Sequence, residues 1–173
     1  DIGDINGMKY LTMALVEGET LASVIRRTGP MPIADTMSIA RQIADGLAAA
    51  HEVGVIHRDL KPEHVMVTSS GHAYIMDFGI ALSALAATRT GVVAGTFEYM
   101  SPEQSQTTNV DGRADIYAFG LILYDMLTGR QRLRGRDQPM SELLSRMNTP
   151  PPPARTIRQE IPEPLDALIT KAT

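Results

Sequence analysis

The chain has 173 residues, of which 43% are hydrophobic and 21% charged, a composition that suits a folded domain and argues against disorder. It contains no Cys, so disulfide bonds, cysteine-based zinc sites and thiol nucleophiles are excluded. Sixteen Lys and Arg against twenty Asp and Glu give a net charge of −4, and we therefore expect no nucleic-acid partner, because such a surface needs an excess of positive charge.

The first predicted elements are a hairpin, a strand and a short helix. Asn6-Gly7 favours a tight hairpin turn, and the apolar run over residues 10–16 indicates a short buried strand. Thr20 is a suitable N-cap for a helix that continues to about Arg27.

A long amphipathic helix is predicted over residues 33–52, and Gly54 closes it. Short apolar runs follow at 55–56, 65–67 and 74–76, and a turn at 69–71 joins the last two as a hairpin. The helix has the three-to-four spacing of one buried face, which comprises Ile33, Met37, Ala40, Ile43, Ala44, Leu47 and Ala50.

The second half is predicted to contain a long loop and three further helices. Residues 80–100 are small and weakly periodic, and a loop of that length in a domain is more often functional than idle. Helices are expected over about 114–128 and 140–147, and a last one begins at Pro164. Helices therefore dominate over a few short strands, which indicates an α+β fold that is predominantly helical.

Three short motifs occur in order along the chain. They are His-Arg-Asp-Leu-Lys-Pro at 57–62, Asp-Phe-Gly at 77–79 and Ser-Pro-Glu at 101–103. With these motifs the sequence resembles the protein kinases, and specifically their large C-terminal lobe. The pattern Thr-x-Thr at 88–90, Gly-Thr at 95–96 and Tyr-Met-Ser-Pro-Glu-Gln at 99–104 is similar to that of the eukaryotic-like Ser/Thr kinases of bacteria.

The resemblance implies catalytic roles for three residues and regulatory roles for others. Asp59 is similar to the carboxylate that accepts or orients the substrate hydroxyl proton, and Lys61 to the cation that contacts the transferred phosphoryl group. Lys at this position points to Ser/Thr substrates, and Thr96 is similar to the threonine that contacts both residues. Arg58 is expected to pair with a phosphate on the activation loop.

The same resemblance implies autophosphorylation at Thr88 and Thr90. The alternative is that both are polar loop residues.

The expected metal ligands are Asp77 and His64. Asp77 is similar to the carboxylate that holds Mg²⁺, which prefers oxygen ligands. The family has Asn where this chain has His64, and imidazole suits softer divalent ions. This departure predicts weakened activity with a preference for Mn²⁺, unless His64 still braces the loop and Asp77 holds enough metal. A pseudokinase or a non-catalytic scaffold is the second functional hypothesis.

Four residues are similar to the family's adenine site. Met13 corresponds to the gatekeeper of the hinge, and the Ala14 carbonyl and Val16 amide would bind the adenine edge of ATP. Met66 corresponds to the apolar residue beneath the adenine ring. The alternative for each of the four is ordinary core packing.

The resemblance also implies a domain organisation. Residues 1–16 correspond to the end of the N-lobe sheet and the hinge strand, and residues 17–173 to a C-lobe truncated before its last helix. This C-lobe contains a catalytic loop at 57–64 and an activation segment at 77–103. The Gly-rich loop, strand Lys and helix Glu that complete a kinase site do not occur in these 173 residues, so the N-lobe is mostly missing.

The sequence is therefore interpreted as part of an ATP-dependent Ser/Thr protein kinase, an enzyme whose fragment is expected to be inactive alone. Its expected partners are protein substrates with Ser or Thr. The longer protein is also expected to form a homodimer through its kinase domain. The expected location is the cytoplasm, with any membrane anchor in other segments of the longer protein.

Overall fold

The protein is described by a computed structural model that covers residues 2–5, 7–78, 97–107, 110–130 and 139–173. In these ranges no helix is both long and apolar enough to cross a membrane. The predicted phosphorylation sites Thr88 and Thr90, and the predicted catalytic residue Thr96, lie outside the described residues.

The chain begins with the predicted hairpin. Strand β1 (Ile2–Ile5) pairs antiparallel with β2 (Met8–Leu11), and Ile5 is opposite Met8. Gly7 adopts φ 81°, a conformation that glycine reaches without steric cost, and its amide donates a hydrogen bond to Asp4 Oδ1 at 2.8 Å. Asn6 of the predicted turn lies outside the described residues.

The strand predicted over 10–16 is wrong beyond Leu11. Residues 12–17 form no regular secondary structure, and Leu15 is 88% exposed. An apolar run predicts a strand only when both of its faces are covered, and here the run lies on the surface of the described chain.

Two helices and a small sheet follow. Strand β3 (Glu19–Thr20) leads into helix α1 (Leu21–Thr28), whose predicted N-cap is confirmed because the Thr20 hydroxyl accepts a hydrogen bond from the Ser23 amide at 3.2 Å. Helix α2 (Ile33–Glu52) has the predicted length. Its buried residues are Thr36, Ile39, Ala40, Ile43 and Leu47.

Ala44, which was expected on the buried face of α2, is exposed. It directly follows the buried Ile43, and consecutive residues of a helix point about 100° apart.

The second hairpin is confirmed. Strand β4 (Val65–Val67) pairs antiparallel with β5 (Ala73–Ile75), and β3 pairs with the other edge of β4, so the strand order is β3-β4-β5. A 3₁₀ turn (Pro62–His64) precedes β4. This sheet places the end of the catalytic motif beside the chain that follows residues 13–16.

Helix α3 (Arg113–Thr128) is the centre of the core. It is buried on nearly all sides, and Leu121, Ile122 and Met126 are inaccessible to solvent. The two hydrophobic clusters of the described chain share α2 and α3. Gly129 ends α3 in the left-handed conformation, as predicted.

The remaining elements lie at the C-terminal end. They are a 3₁₀ turn (Glu103–Ser105), helix α4 (Pro139–Asn148), a 3₁₀ turn (Ala154–Thr156) and helix α5 (Glu163–Ala172). Both predicted helices are therefore confirmed, and α5 packs against α3.

Candidate active site

The predicted catalytic loop at 57–64 connects α2 to β4, and a buried carboxylate holds its first two residues. Asp115 lies in the first turn of α3 and is 1% exposed. Its Oδ2 accepts a hydrogen bond from the His57 amide, and its Oδ1 accepts one from the Arg58 amide, both at 2.9 Å. His51 Nε2 at the end of α2 lies 2.7 Å from the same Oδ2. A buried carboxylate is tolerated when donors satisfy its oxygens, and these donors come from α2 and from the loop.

Arg58 has φ 66°, which is uncommon for a residue with a Cβ atom. Such a conformation persists only where the surroundings impose it. Here it is imposed by the two hydrogen bonds that the amides of His57 and Arg58 donate to the Asp115 carboxylate. The strained residue directly precedes Asp59.

His57 joins the catalytic loop to the Asp-Phe-Gly motif. Its side chain is completely buried, and Nε2 lies 2.8 Å from the Met76 carbonyl oxygen. A carbonyl only accepts, so Nε2 carries the hydrogen, and Nδ1 is free to accept the Asp59 amide hydrogen at 3.3 Å. Burial lowers the pKa of His57, although the bond to Met76 opposes the shift. The neutral ring lies 4.8 Å from that of Phe78.

Asp59 and Lys61 form a close ion pair. Lys61 Nζ donates to Asp59 Oδ2 at 2.9 Å, and both side chains are 18% exposed. The site thus holds a carboxylate that can accept a proton and, beside it, a cation that can meet negative charge on a phosphoryl group.

His64 lies between Asp59 and Asp77. Its Nδ1 is 2.8 Å from the Asp59 carbonyl oxygen, and its Nε2 is 3.9 Å from Asp77 Oδ2. Because the carbonyl accepts, Nδ1 carries a proton, and in the neutral form of the ring the lone pair is on Nε2, on the side of Asp77. Asp77 has φ 62°, and its side chain is 38% exposed.

This pair has the chemistry of an incomplete metal site. An accessible carboxylate and an imidazole lone pair can each bind a divalent cation. Within the described residues, no three His, Asp or Glu side chains converge as a metal site. Mg²⁺ commonly takes only one or two carboxylates, with phosphate oxygens and water as its other ligands, so the residues present fit Mg²⁺ or Mn²⁺ bound together with a nucleotide.

The predicted adenine-binding residues lie on the irregular segment 12–17 and on β4. Met13 and Ala14 are exposed, and Val16 is half-buried. Among the described residues, neither the Ala14 carbonyl nor the Val16 amide has a hydrogen-bond partner. Met66 is half-buried in β4 opposite Thr20, so the sheet brings it next to the chain that leaves this segment.

A Cβ atom at Gly18 would lie 2.4 Å from the Val67 carbonyl oxygen. Glycine therefore permits the close approach of this segment to β4.

Sequence reasoning did not find the contacts that hold residues 97–104. Gln104 Nε2 donates to the Arg58 carbonyl at 2.7 Å, and its Oε1 accepts from the Ser101 amide at 3.0 Å. Arg146 of α4 donates to backbone carbonyls of the same segment. Gln104 is in the Tyr-Met-Ser-Pro-Glu-Gln pattern, whereas no sequence signal distinguishes Arg146 from a surface arginine.

Comparison with known proteins gives the family. The family described as "Protein kinase domain" matches residues 5–172. The chain is 38% identical over 166 residues to serine/threonine-protein kinase PknL of Mycobacterium tuberculosis, an alignment that covers 95% of this chain and 41% of PknL. It is 39% identical over 173 residues to PknD of the same organism, with coverage of 99% and 26%. A probable serine/threonine-protein kinase of Clostridium perfringens is 38% identical over 174 residues, with coverage of 99% and 25%.

The chain therefore belongs to the protein kinase family, and its resemblance to the eukaryotic-like Ser/Thr kinases of bacteria is confirmed. It spans less than half the length of each of these three relatives.

Proposed function

We propose that this chain supplies the catalytic base, the metal-binding carboxylate and the protein-substrate side of an ATP-dependent Ser/Thr protein kinase. The observation that carries the proposal is the Asp59–Lys61 pair, with Nζ 2.9 Å from Oδ2. In-line phosphoryl transfer needs an acceptor for the hydroxyl proton and a cation near the transferred group, and this pair contains both.

In the proposed reaction, the Asp59 carboxylate orients the Ser or Thr hydroxyl and accepts its proton. The hydroxyl oxygen bonds to the γ-phosphorus of ATP as the bond to the β–γ bridging oxygen breaks, and ADP leaves. Lys61 stabilises negative charge on the transferred group. Asp77 and His64 would hold a divalent cation, which neutralises phosphate charge when bound.

The adenine of ATP is proposed to lie against Met66, with Met13 as gatekeeper beside it. The Ala14 carbonyl would accept a hydrogen bond from the adenine edge and the Val16 amide would donate one. Their lack of other partners in the described ranges supports this assignment.

We further propose that residues 17–173 form the C-lobe and that residues 1–16 lead into it from the N-lobe sheet. The Gly-rich loop, strand Lys and helix Glu are absent from this sequence. For this reason the 173-residue chain alone should transfer no phosphate, whereas a longer protein containing it would be active. Such a kinase would work in the cytoplasm, where ATP is available.

A pseudokinase is the second candidate, and His64 at the usual Asn position favours it. The experiment that separates the two measures transfer of radiolabelled phosphate from ATP to protein, by the longer kinase, in Mg²⁺ and in Mn²⁺. We expect transfer by the wild type and at least about a thousandfold less by Asp59→Asn.

The matched control for that variant is Asp111→Asn, which changes an exposed carboxylate. It should leave the rate unchanged. Wild-type transfer no greater than that of Asp59→Asn in both metals would reject the kinase and support the scaffold. If transfer occurs, intact-mass analysis should show added phosphate, and fragmentation of the peptides that contain residues 88–90 should locate it on Thr88 and Thr90.

A further inference from the structure

Arg146 of α4 is a buried cation that binds the backbone of a distant segment. It is 8% exposed. Its Nη1 donates to the Glu98 carbonyl, and its Nη2 donates to the Phe97 carbonyl at 2.7 Å and to the Met100 carbonyl at 3.4 Å. A buried charge is costly unless its donors are paired, and the planar fork of arginine suits several acceptors at once.

The carbonyls that Arg146 binds have no regular element to hold them. In the described structure, residues 97–100 belong to neither a helix nor a strand. The path of their backbone therefore depends on side chains from other elements. Besides Arg146, these include Asp125 of α3, whose Oδ2 accepts a hydrogen bond from the Tyr99 hydroxyl at 2.8 Å.

The same segment lies against the catalytic loop. The Gln104 side chain donates a hydrogen bond to the carbonyl of Arg58, which is the residue before Asp59. It also accepts a hydrogen bond from the Ser101 amide. Residues 97–101 are thus held between α4 on one side and the catalytic loop on the other. Tyr99, Met100 and Gln104 line one cavity with Arg58 and Asp59, so a protein chain that presents a hydroxyl to Asp59 would pass close to them.

We propose that Arg146 is a positioning residue for the protein substrate. It sets the backbone path of residues 97–100 and so shapes the surface that receives the polypeptide around the target Ser or Thr. It touches neither the reacting atoms nor ATP. This inference rests on the proposed kinase activity, and it assigns to α4 a part in selecting the protein substrate.

Three variants in the longer kinase test the role. Arg146→Met keeps an unbranched apolar stem and removes the charged group with its donors, and Arg146→Lys keeps the charge but not the planar fork. Arg158→Met is the matched control, because Arg158 Nη1 also donates to two backbone carbonyls, those of Met31 at 2.7 Å and Leu127 at 3.2 Å. Neither of these two carbonyls belongs to residues 97–104.

The first measurement is steady-state kinetics with the Ser/Thr peptide that the wild type phosphorylates best in a peptide array. We expect Arg146→Met to lower kcat/KM for the peptide about tenfold or more while the KM for ATP changes less than about twofold. Arg146→Lys should fall between Arg146→Met and the wild type. Arg158→Met should change neither constant, even if it lowers the melting temperature. An equal loss in Arg158→Met, or a parallel rise in the KM for ATP, would reduce Arg146 to a general stabilising residue and overturn the proposal.

The second measurement is hydrogen–deuterium exchange of the peptide segment 97–104, which needs no activity. Exchange of the Ser101 amide should quicken in Arg146→Met and stay at the wild-type rate in Arg158→Met, whereas identical rates in all variants would overturn the proposal. If the wild type transfers no phosphate but the exchange differs as expected, the kinase proposal fails, and the substrate role fails with it. The role of Arg146 in holding the backbone of residues 97–100 would still stand.

Discussion

The buried carboxylate of Asp115 accepts a hydrogen bond from the backbone amide of His57 at 2.9 Å. Its second oxygen binds the Arg58 amide at the same distance, so α3 fixes the two residues that precede Asp59. His51 brings α2 to the same carboxylate. The position of the proposed base therefore depends on two packed helices rather than on the loop alone.

Asp115→Asn should destabilise the protein and slow phosphate transfer. The amide of Asn would turn an NH₂ group towards donors that need an acceptor, and a buried donor without a partner costs about 1–3 kcal/mol. Urea denaturation should show a loss of that size in the free energy of unfolding. The control is Asp111→Asn, whose ion pair with Arg113 is on the surface; equal losses in the two variants would contradict the role of Asp115.

The stability of the protein should fall as the pH drops below 6.5, the ordinary pKa of histidine. Burial lowers the pKa of His57 in the folded state, so in this range the unfolded chain binds a proton that the folded chain does not. Stability is then fully present above pH 6.5 and is lost progressively as the pH falls from there towards the lowered folded pKa.

His57→Gln removes this titration but keeps a donor and an acceptor on the side chain. Denaturation at pH 7.5 and 5.5 should therefore show a smaller loss of stability in the variant than in the wild type. The other three histidines are present in both proteins, so the comparison isolates the change at His57. An equal loss in the two proteins would show that His57 is charged in the folded state.

His64→Asn should shift the metal preference of the longer kinase towards Mg²⁺. The variant replaces an imidazole nitrogen with an amide oxygen donor, which the harder ion favours. We expect the ratio of transfer rates in Mn²⁺ and Mg²⁺ to fall about tenfold, and Mn²⁺ binding measured by electron paramagnetic resonance to weaken. His72→Asn is the control, because His72 is exposed and contacts Ser70 in the β4–β5 turn. An unchanged ratio in His64→Asn would leave His64 only the role of bracing the loop.

Gly29 and Gly129 have φ angles of 71° and 70°, but they differ in ψ and in their surroundings. Gly29 has ψ −141°, a conformation essentially restricted to glycine, and a Cβ atom there would meet nothing within 4 Å. Gly29→Ala should therefore cost about 1–3 kcal/mol through backbone strain alone. Gly129 has ψ 15°, and a Cβ atom there would lie 2.7 Å from the Pro30 backbone nitrogen, so Gly129→Ala should cost about 2–4 kcal/mol because overlap adds to the strain of the left-handed conformation. A cost of only about 1 kcal/mol for Gly129→Ala in urea denaturation, the strain alone, would mean that Pro30 moves away freely.

Sequence patterns predicted the long elements well because those elements carry their own signals. Helix α2 has a repeating apolar face, α3 ends at a glycine in the left-handed conformation, and the β4–β5 hairpin has a turn that contains Gly71. Strand β3 was not predicted, because two residues carry no periodicity and its pairing with β4 decides its structure.

The motifs that mark the candidate site are visible in the sequence, but most of the contacts that hold these residues in place are not. The contact of His51 with Asp115 joins positions 64 apart in sequence. Arg146 and Glu98 are 48 positions apart. Such contacts depend on how the helices pack, and a single sequence contains no spacing rule for them.

The contact of His64 Nδ1 with the Asp59 carbonyl couples metal binding to the shape of the catalytic loop. A rearrangement that removed this acceptor would free the imidazole proton to move to Nε2, which would then present N–H instead of a lone pair towards Asp77. Affinity for the proposed cation would drop in that state. Because such coupling is reciprocal, the cation would in turn favour the loop conformation in which the Asp59 peptide holds His64. The bound ion would thus act on the base as an allosteric ligand, through one peptide group.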